Sequence, residues 1–144
     1  MANGLFVPVK KVPELKMLKG RLRKELSSLG FVTQRITVGV TLVGSDCLLD
    51  NMIYIMDHEG GACCWLTFMS ADDSLLEVSE SGVPFIAHVS GGTGRGRRLA
   101  LAVSYGVSVE GQGECVYDDG RLYLGGGAGS SSIEKLKKLL VELK

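Results

Sequence analysis

Leucines 15, 18, 22, 26 and 29 recur at spacings of three and four, which lays one apolar stripe along a helix spanning 13–29, "PELKMLKGRLRKELSSL". Pro13 suits its first turn and Gly30 suits the left-handed stop just past its last one. Gly20 in its middle costs up to about 1 kcal/mol relative to alanine, so this helix is expected to depend on docking.

Beyond residue 30 the period shortens from 3.6 to 2. In "RITVGVTLV", Ile36, Val38, Val40 and Leu42 alternate with Arg35, Thr37, Gly39 and Thr41, as on a strand with one face in a core. "RLALAVSYGVSVE" alternates more cleanly, with Leu99, Leu101, Val103, Tyr105, Val107 and Val109 set against Ala, Ser and Gly. It too is predicted as a strand, in a register that a one-residue slip would turn inside out. "MIYIMD", "ACCWLTFM" and "PFIAHVS" are further strands bounded by turn residues, the first two joined at Glu59-Gly60-Gly61. Asp119-Gly120, between "ECVYD" and "RLYLG", predicts a hairpin, because a type I′ turn needs positive φ at both central residues. The piece "ADDSLLEVSES", 71–81, reads as a short helix starting near Asp72 or Asp73.

The chain ends on a second amphipathic helix. Ser131-Ser132-Ile133-Glu134 fits a capping box, Ile133, Leu136, Leu139, Leu140 and Leu143 form the stripe, and Glu134 with Lys138 makes an i,i+4 pair. Helix, about seven short strands, helix is an α+β order. It predicts a single domain over 1–144 with a mostly antiparallel sheet, curved or closed, flanked by an N-terminal and a C-terminal helix. Residues 1–12 are expected to form a loose N-terminal arm.

Composition agrees with a packed, turn-rich protein: hydrophobic residues make up 45%, and there are 20 Gly but only 3 Pro. No run approaches the roughly 20 apolar residues of a membrane helix, and "MANGLFVPVKK" lacks the order of a signal peptide, so a cytoplasmic location with no membrane partner is expected. Cys47, Cys63, Cys64 and Cys115 show no C-x-x-C pair or zinc spacing, which points to buried thiols and to no metal or other cofactor.

Charge changes the picture more. Net charge is zero, yet residues 1–45 hold eight basic residues against two acidic, and residues 46–94 hold eight acidic and no basic ones. Arg95, Arg97 and Arg98 then cluster, and 121–144 is again basic on balance. A chain segmented this way presents positive and negative surfaces at once.

Three places carry candidate chemistry. "GGTGRGRR", 91–98, offers Arg95, Arg97 and Arg98 on a glycine-rich loop, and guanidinium forks suit phosphates or carboxylates. Lys16, Lys19, Arg23 and Lys24 on the first helix extend the positive surface. "GGGAGSSS" precedes the last helix, where Gly126, Gly127, Gly129 and Ser130 form a possible anion loop; it lacks the lysine of a Walker loop and the βαβ setting of a dinucleotide site. No catalytic set stands out. Ser104 in "AVSYG" is not at a strand-to-helix elbow, and His58 in "DHE" and His88 in "PFIAHVS" read as turn and sheet residues. The expected function is therefore non-enzymatic: an assembly or partner-binding domain that uses segregated charge, its partner another protein or a second copy in a homo-oligomer. The alternative is a polyanion- or RNA-binding protein that uses Arg95, Arg97, Arg98 and the basic first helix.

Overall fold

The computed structural model describes residues 4–41, 48–49, 51–58, 61–70, 83–91, 95–119, 123–125 and 129–143. The elements are β1 (Gly4–Val9), α1 (Leu15–Ser28), a 3-10 turn (Thr33–Arg35), β2 (Ile36–Thr41), β3 (Met52–Asp57), β4 (Ala62–Ser70), β5 (Phe85–Gly91), α2 (Arg95–Gly111), β6 (Cys115–Asp119), β7 (Ser130–Ser132) and α3 (Ile133–Glu142). The seven strands form one sheet in the order β2-β3-β4-β5-β1-β6-β7, with every pair antiparallel. The sheet is open, with β2 and β7 as its outer strands. The α+β architecture expected from the sequence is therefore present without closure.

The three helices share one face of the sheet. Leu5, Val7, Ile53, Ile55, Leu66, Phe68, Ala87 and Val89 point into one core with Leu18, Leu22 and Leu26 of α1 and Leu136 and Leu140 of α3. Helix α2 lies over β1, β4 and β5 and packs against both other helices.

Residues 99–109 are therefore helix and not the strand that their alternation predicts. The alternation is of large and small side chains, and both kinds are buried: every residue from Leu99 to Ser108 is buried. A helix enclosed on all sides has no polar face, so the 3.6-residue signal is erased and a chance period of two remains. The small positions have a packing role. A Cβ on Gly106 would lie 2.9 Å from Leu22 Cδ2, so glycine here lets α1 approach α2 closely. Ser104 and Ser108 satisfy their hydroxyls within the helix by donating to Ala100 O at 2.8 Å and Tyr105 O at 2.7 Å.

The expected N-terminal arm is also corrected, because residues 4–9 form a central strand. "GLFVPV" is apolar throughout because both of its faces are buried. Pro8 is tolerated because pairing with β6 stops at Phe6, which leaves Pro8 with a strand partner on the β5 side alone among the described residues. Conversely, 123–125 is a bend. The buried carboxylate of Asp118 accepts the Tyr123 and Leu124 N–H groups, each at 2.8 Å, and so takes amides a strand would have used. Gly60 and Gly120 of the expected turns, and the piece 71–81, lie outside the described residues.

Helix α1 ends as its sequence predicts. Gly30 has φ 93°, its N–H donates to Ser27 O, and Phe31 N–H reaches back to Leu26 O at 2.9 Å, a Schellman ending. At α3 the cap is one residue later than the capping box predicts: Ser132 accepts from Lys135 N–H at 3.3 Å. Ser131 is instead paired with Val116 in β7.

Replacing Gly106 with Leu is expected to cost about 1–3 kcal/mol by overpacking the α1–α2 contact, measured by urea unfolding. On that background Leu22→Ala should cost less than the usual ~2–5 kcal/mol of a buried leucine deletion. Strict additivity of the two changes would place the contact elsewhere.

Candidate functional site

The positive surface is built from the polar face of α1. Lys16, Lys19, Arg23 and Lys24 are all exposed. At about 100° per residue, Lys16, Lys19 and Arg23 fall within one narrow arc, and Lys24 turns away from it. Arg21, on the buried flank, instead pairs with Glu25 at 3.4 Å and Glu110 of α2 at 3.6 Å.

Beside that arc lies a groove of about 240 Å³ between α1 and the outer strand β2. Leu22 and Leu26 form one apolar wall, Ile36 and Val38 the other, Thr33 and Thr37 border it, and Lys19 and Arg23 stand on the rim. Leu22 belongs both to the Gly106 contact with α2 and to the lining of the groove.

The outer side of β2 has a defined polarity. His58 N–H donates to Arg35 O at 3.0 Å, making these residues a hydrogen-bonded pair. Antiparallel alternation then turns Thr37 and Gly39 toward β3 and turns the N–H and C=O of Val38 and Val40 away from it. Among the described residues β2 has β3 as its one strand neighbour. On the opposite face of the sheet the Tyr54 ring occupies the space above Gly39, where a Cβ would collide with it, and packs edge-on to Trp65 at 5.9 Å.

The arginine cluster is not a loop. Arg95 opens α2, and the next two arginines are engaged with the fold. Arg97 Nε donates to Tyr123 O at 2.6 Å. Arg98 donates through Nη2 to Leu29 O and lies 4.2 Å over the Phe31 ring, so its cation meets the carbonyl end of α1. Partial burial pulls its guanidinium pKa below the ordinary arginine value. Arg97 and Arg98 thus join helices and turns through one guanidinium nitrogen each, and neither lines the groove beside Lys19 and Arg23.

The expected anion loop is drawn into the sheet where it is described. Ser130 pairs with Tyr117 in β7 and Gly129 O accepts from Asp118 N–H at 2.8 Å; Gly126 and Gly127 lie outside the described residues. Ser104 is buried inside α2, away from any nucleophile elbow. His88 stacks on Phe6 at 4.4 Å, and His58 Nε2 sits 2.6 Å from Thr37 Oγ1.

The groove itself was missed by sequence reading, since it joins two segments whose relative placement is set by α2. Its apolar residues were nonetheless visible, Leu22 and Leu26 in one helical stripe and Ile36 and Val38 on the apolar face of one strand. Comparisons of the chain with models of protein families, with curated proteins and with solved structures return no match.

Among the described cysteines, Cys64 is fully buried and Cys63 and Cys115 are partly exposed. Burial pushes the Cys64 thiol far above its ordinary value, with Cys63 adding to the effect, so its thiolate is scarce at any mild pH. In the native protein iodoacetamide at pH 8 is expected to modify Cys63 and Cys115 and to spare Cys64, read by peptide mass spectrometry. Labelling of Cys64 at the rate of Cys63 would contradict its placement in the core.

Proposed function

We propose that the chain is a non-enzymatic partner-binding domain that receives an acidic protein surface at the groove between α1 and β2. The observation that carries this reading is the combination of two cations, Lys19 and Arg23, on the rim of an apolar groove walled by Leu22, Leu26, Ile36 and Val38. Rim charges steer an acidic partner and set its orientation, while the partly exposed side chains of Ile36 and Val38 supply apolar contact area that is removed from water, over a floor closed by the buried Leu22 and Leu26.

The same features favour protein over nucleic acid. A phosphate backbone needs cations but gains little from aliphatic walls, and single strands are usually held by stacking on aromatic rings. Among the described residues none that lines the groove is aromatic. The engagement of Arg97 and Arg98 within the fold removes two of the forks that an RNA reading relies on.

Fluorescein-labelled poly-L-glutamate is expected to bind at low ionic strength and to weaken as salt rises, because exposed charges are screened over about 10 Å at 0.1 M. Lys19→Glu with Arg23→Glu should reduce its affinity at least about tenfold while leaving the circular dichroism spectrum unchanged. Unchanged affinity of that variant removes the groove from the reading. Tighter binding of labelled poly(U) than of poly-L-glutamate overturns it in favour of RNA.

A further inference from the structure

We infer that the occupant of this groove is an extended acidic segment of a partner protein, added antiparallel to β2 as an eighth strand. The inference rests on the groove being a partner site and specifies the form in which the partner arrives. Val38 is the link, because it belongs to both features. Its side chain lines the groove, and its N–H and C=O point outward from the sheet. A ligand that follows the outer side of β2 therefore hydrogen-bonds to the backbone and enters the apolar groove with the same residues.

Antiparallel geometry fixes which ligand residues do what. Residues opposite one another in such a pair share a face, and the members of a hydrogen-bonded pair both direct N–H and C=O at the partner strand. Ligand residues opposite Val38 and Val40 thus donate and accept along β2 while their side chains turn toward α1. Those side chains should be apolar where they meet the partly exposed Ile36 and Val38, with flanking carboxylates in reach of Lys19 and Arg23, which stand about one helical turn apart on the rim. A helical partner would fill the groove but leave the outward groups of Val38 and Val40 to water. This is the strand-addition mode of peptide recognition, in which main-chain bonds contribute affinity and alternate side chains contribute specificity.

The start of β2 agrees with such an occupant. Ile36 N–H is already used by Thr33 O, so an added strand is met from Ile36 C=O onward. Nothing bulkier than Thr37 and Gly39 separates the outward-pointing residues on the strand, and the Tyr54 ring above Gly39 lies on the far face, clear of α1.

The probe is a fluorescein-labelled peptide, Glu-Thr-Val-Thr-Val-Thr-Glu, which places two valines between two carboxylates on one face of an extended chain. Two analogues test the geometry, one N-methylated on both valines and the other on its second and third threonines. The full-length protein is expected to bind the parent peptide. It should bind the valine-methylated analogue at least about tenfold more weakly and the threonine-methylated one within about threefold, since only the valine amides face β2. Equal affinity of all three peptides, or a larger loss with the threonine analogue, overturns antiparallel strand addition. If poly-L-glutamate binds but the parent peptide does not, strand addition falls and the acidic-partner reading stands. If neither binds, both fall.

Discussion

The burial of α2 on every side is the constraint from which the rest of the molecule follows. A helix that contacts the sheet below it and a helix on each flank must keep its side chains short wherever a neighbour approaches. Ala100, Ala102, Ser104, Gly106 and Ser108 meet that demand. The cost is a helix of modest intrinsic propensity, rich in β-branched, Ser and Gly residues, that gains its stability from packing. The return is spacing: Gly106 sets how near α1 can come, and Leu22, which meets it, also lines the groove between α1 and β2.

Polar contacts then fix the start of α2. Arg98 satisfies the Leu29 carbonyl just past α1 and covers Phe31, while Arg97 holds the turn at Tyr123, whose hydroxyl contacts the backbone of Gly91. Asp118 organises the same turn from the other side through the Tyr123 and Leu124 amides. These are charged groups used as connectors, partly sheltered from water, where an interaction with a carbonyl or a ring counts for more than on an open surface. Exposed cations also stand on α3 and beside β1, and it is the position of Lys19 and Arg23 beside an apolar groove that distinguishes the α1 surface from a merely solvated helix face.

Elements with one face in the core and one in water were legible in the sequence. The leucine stripe of α1, the alternation of β2, β3 and β4, the stripe of α3 and the Gly30 stop all carry the contrast between apolar and polar positions that such elements require. Where both faces are covered the contrast vanishes. That is why Leu99–Val109 gave the wrong period and why Gly4–Val9 looked like an arm. Asp118 is a third kind of case, in which one buried carboxylate diverts two amides from a ladder, an event with no local signature. The candidate site divides in the same way. Lys19 and Arg23 were visible as basic residues on a helix, but their meeting with Ile36 and Val38 depends on the packing of α2, which the alternating pattern had concealed.

The most direct test of this account is the backbone conformation of residues 99–109 in solution. Carbon-13 Cα and Cβ chemical shifts of the uniformly labelled protein, with amide hydrogen exchange on the same sample, report it residue by residue. The account predicts helical shifts from Leu99 to Val109 and protection there equal to the slowest-exchanging amides of the molecule, as expected of an enclosed central helix. Strand-type shifts over this stretch, or rapid exchange of its amides, would contradict it and would remove the support on which the groove between α1 and β2 depends.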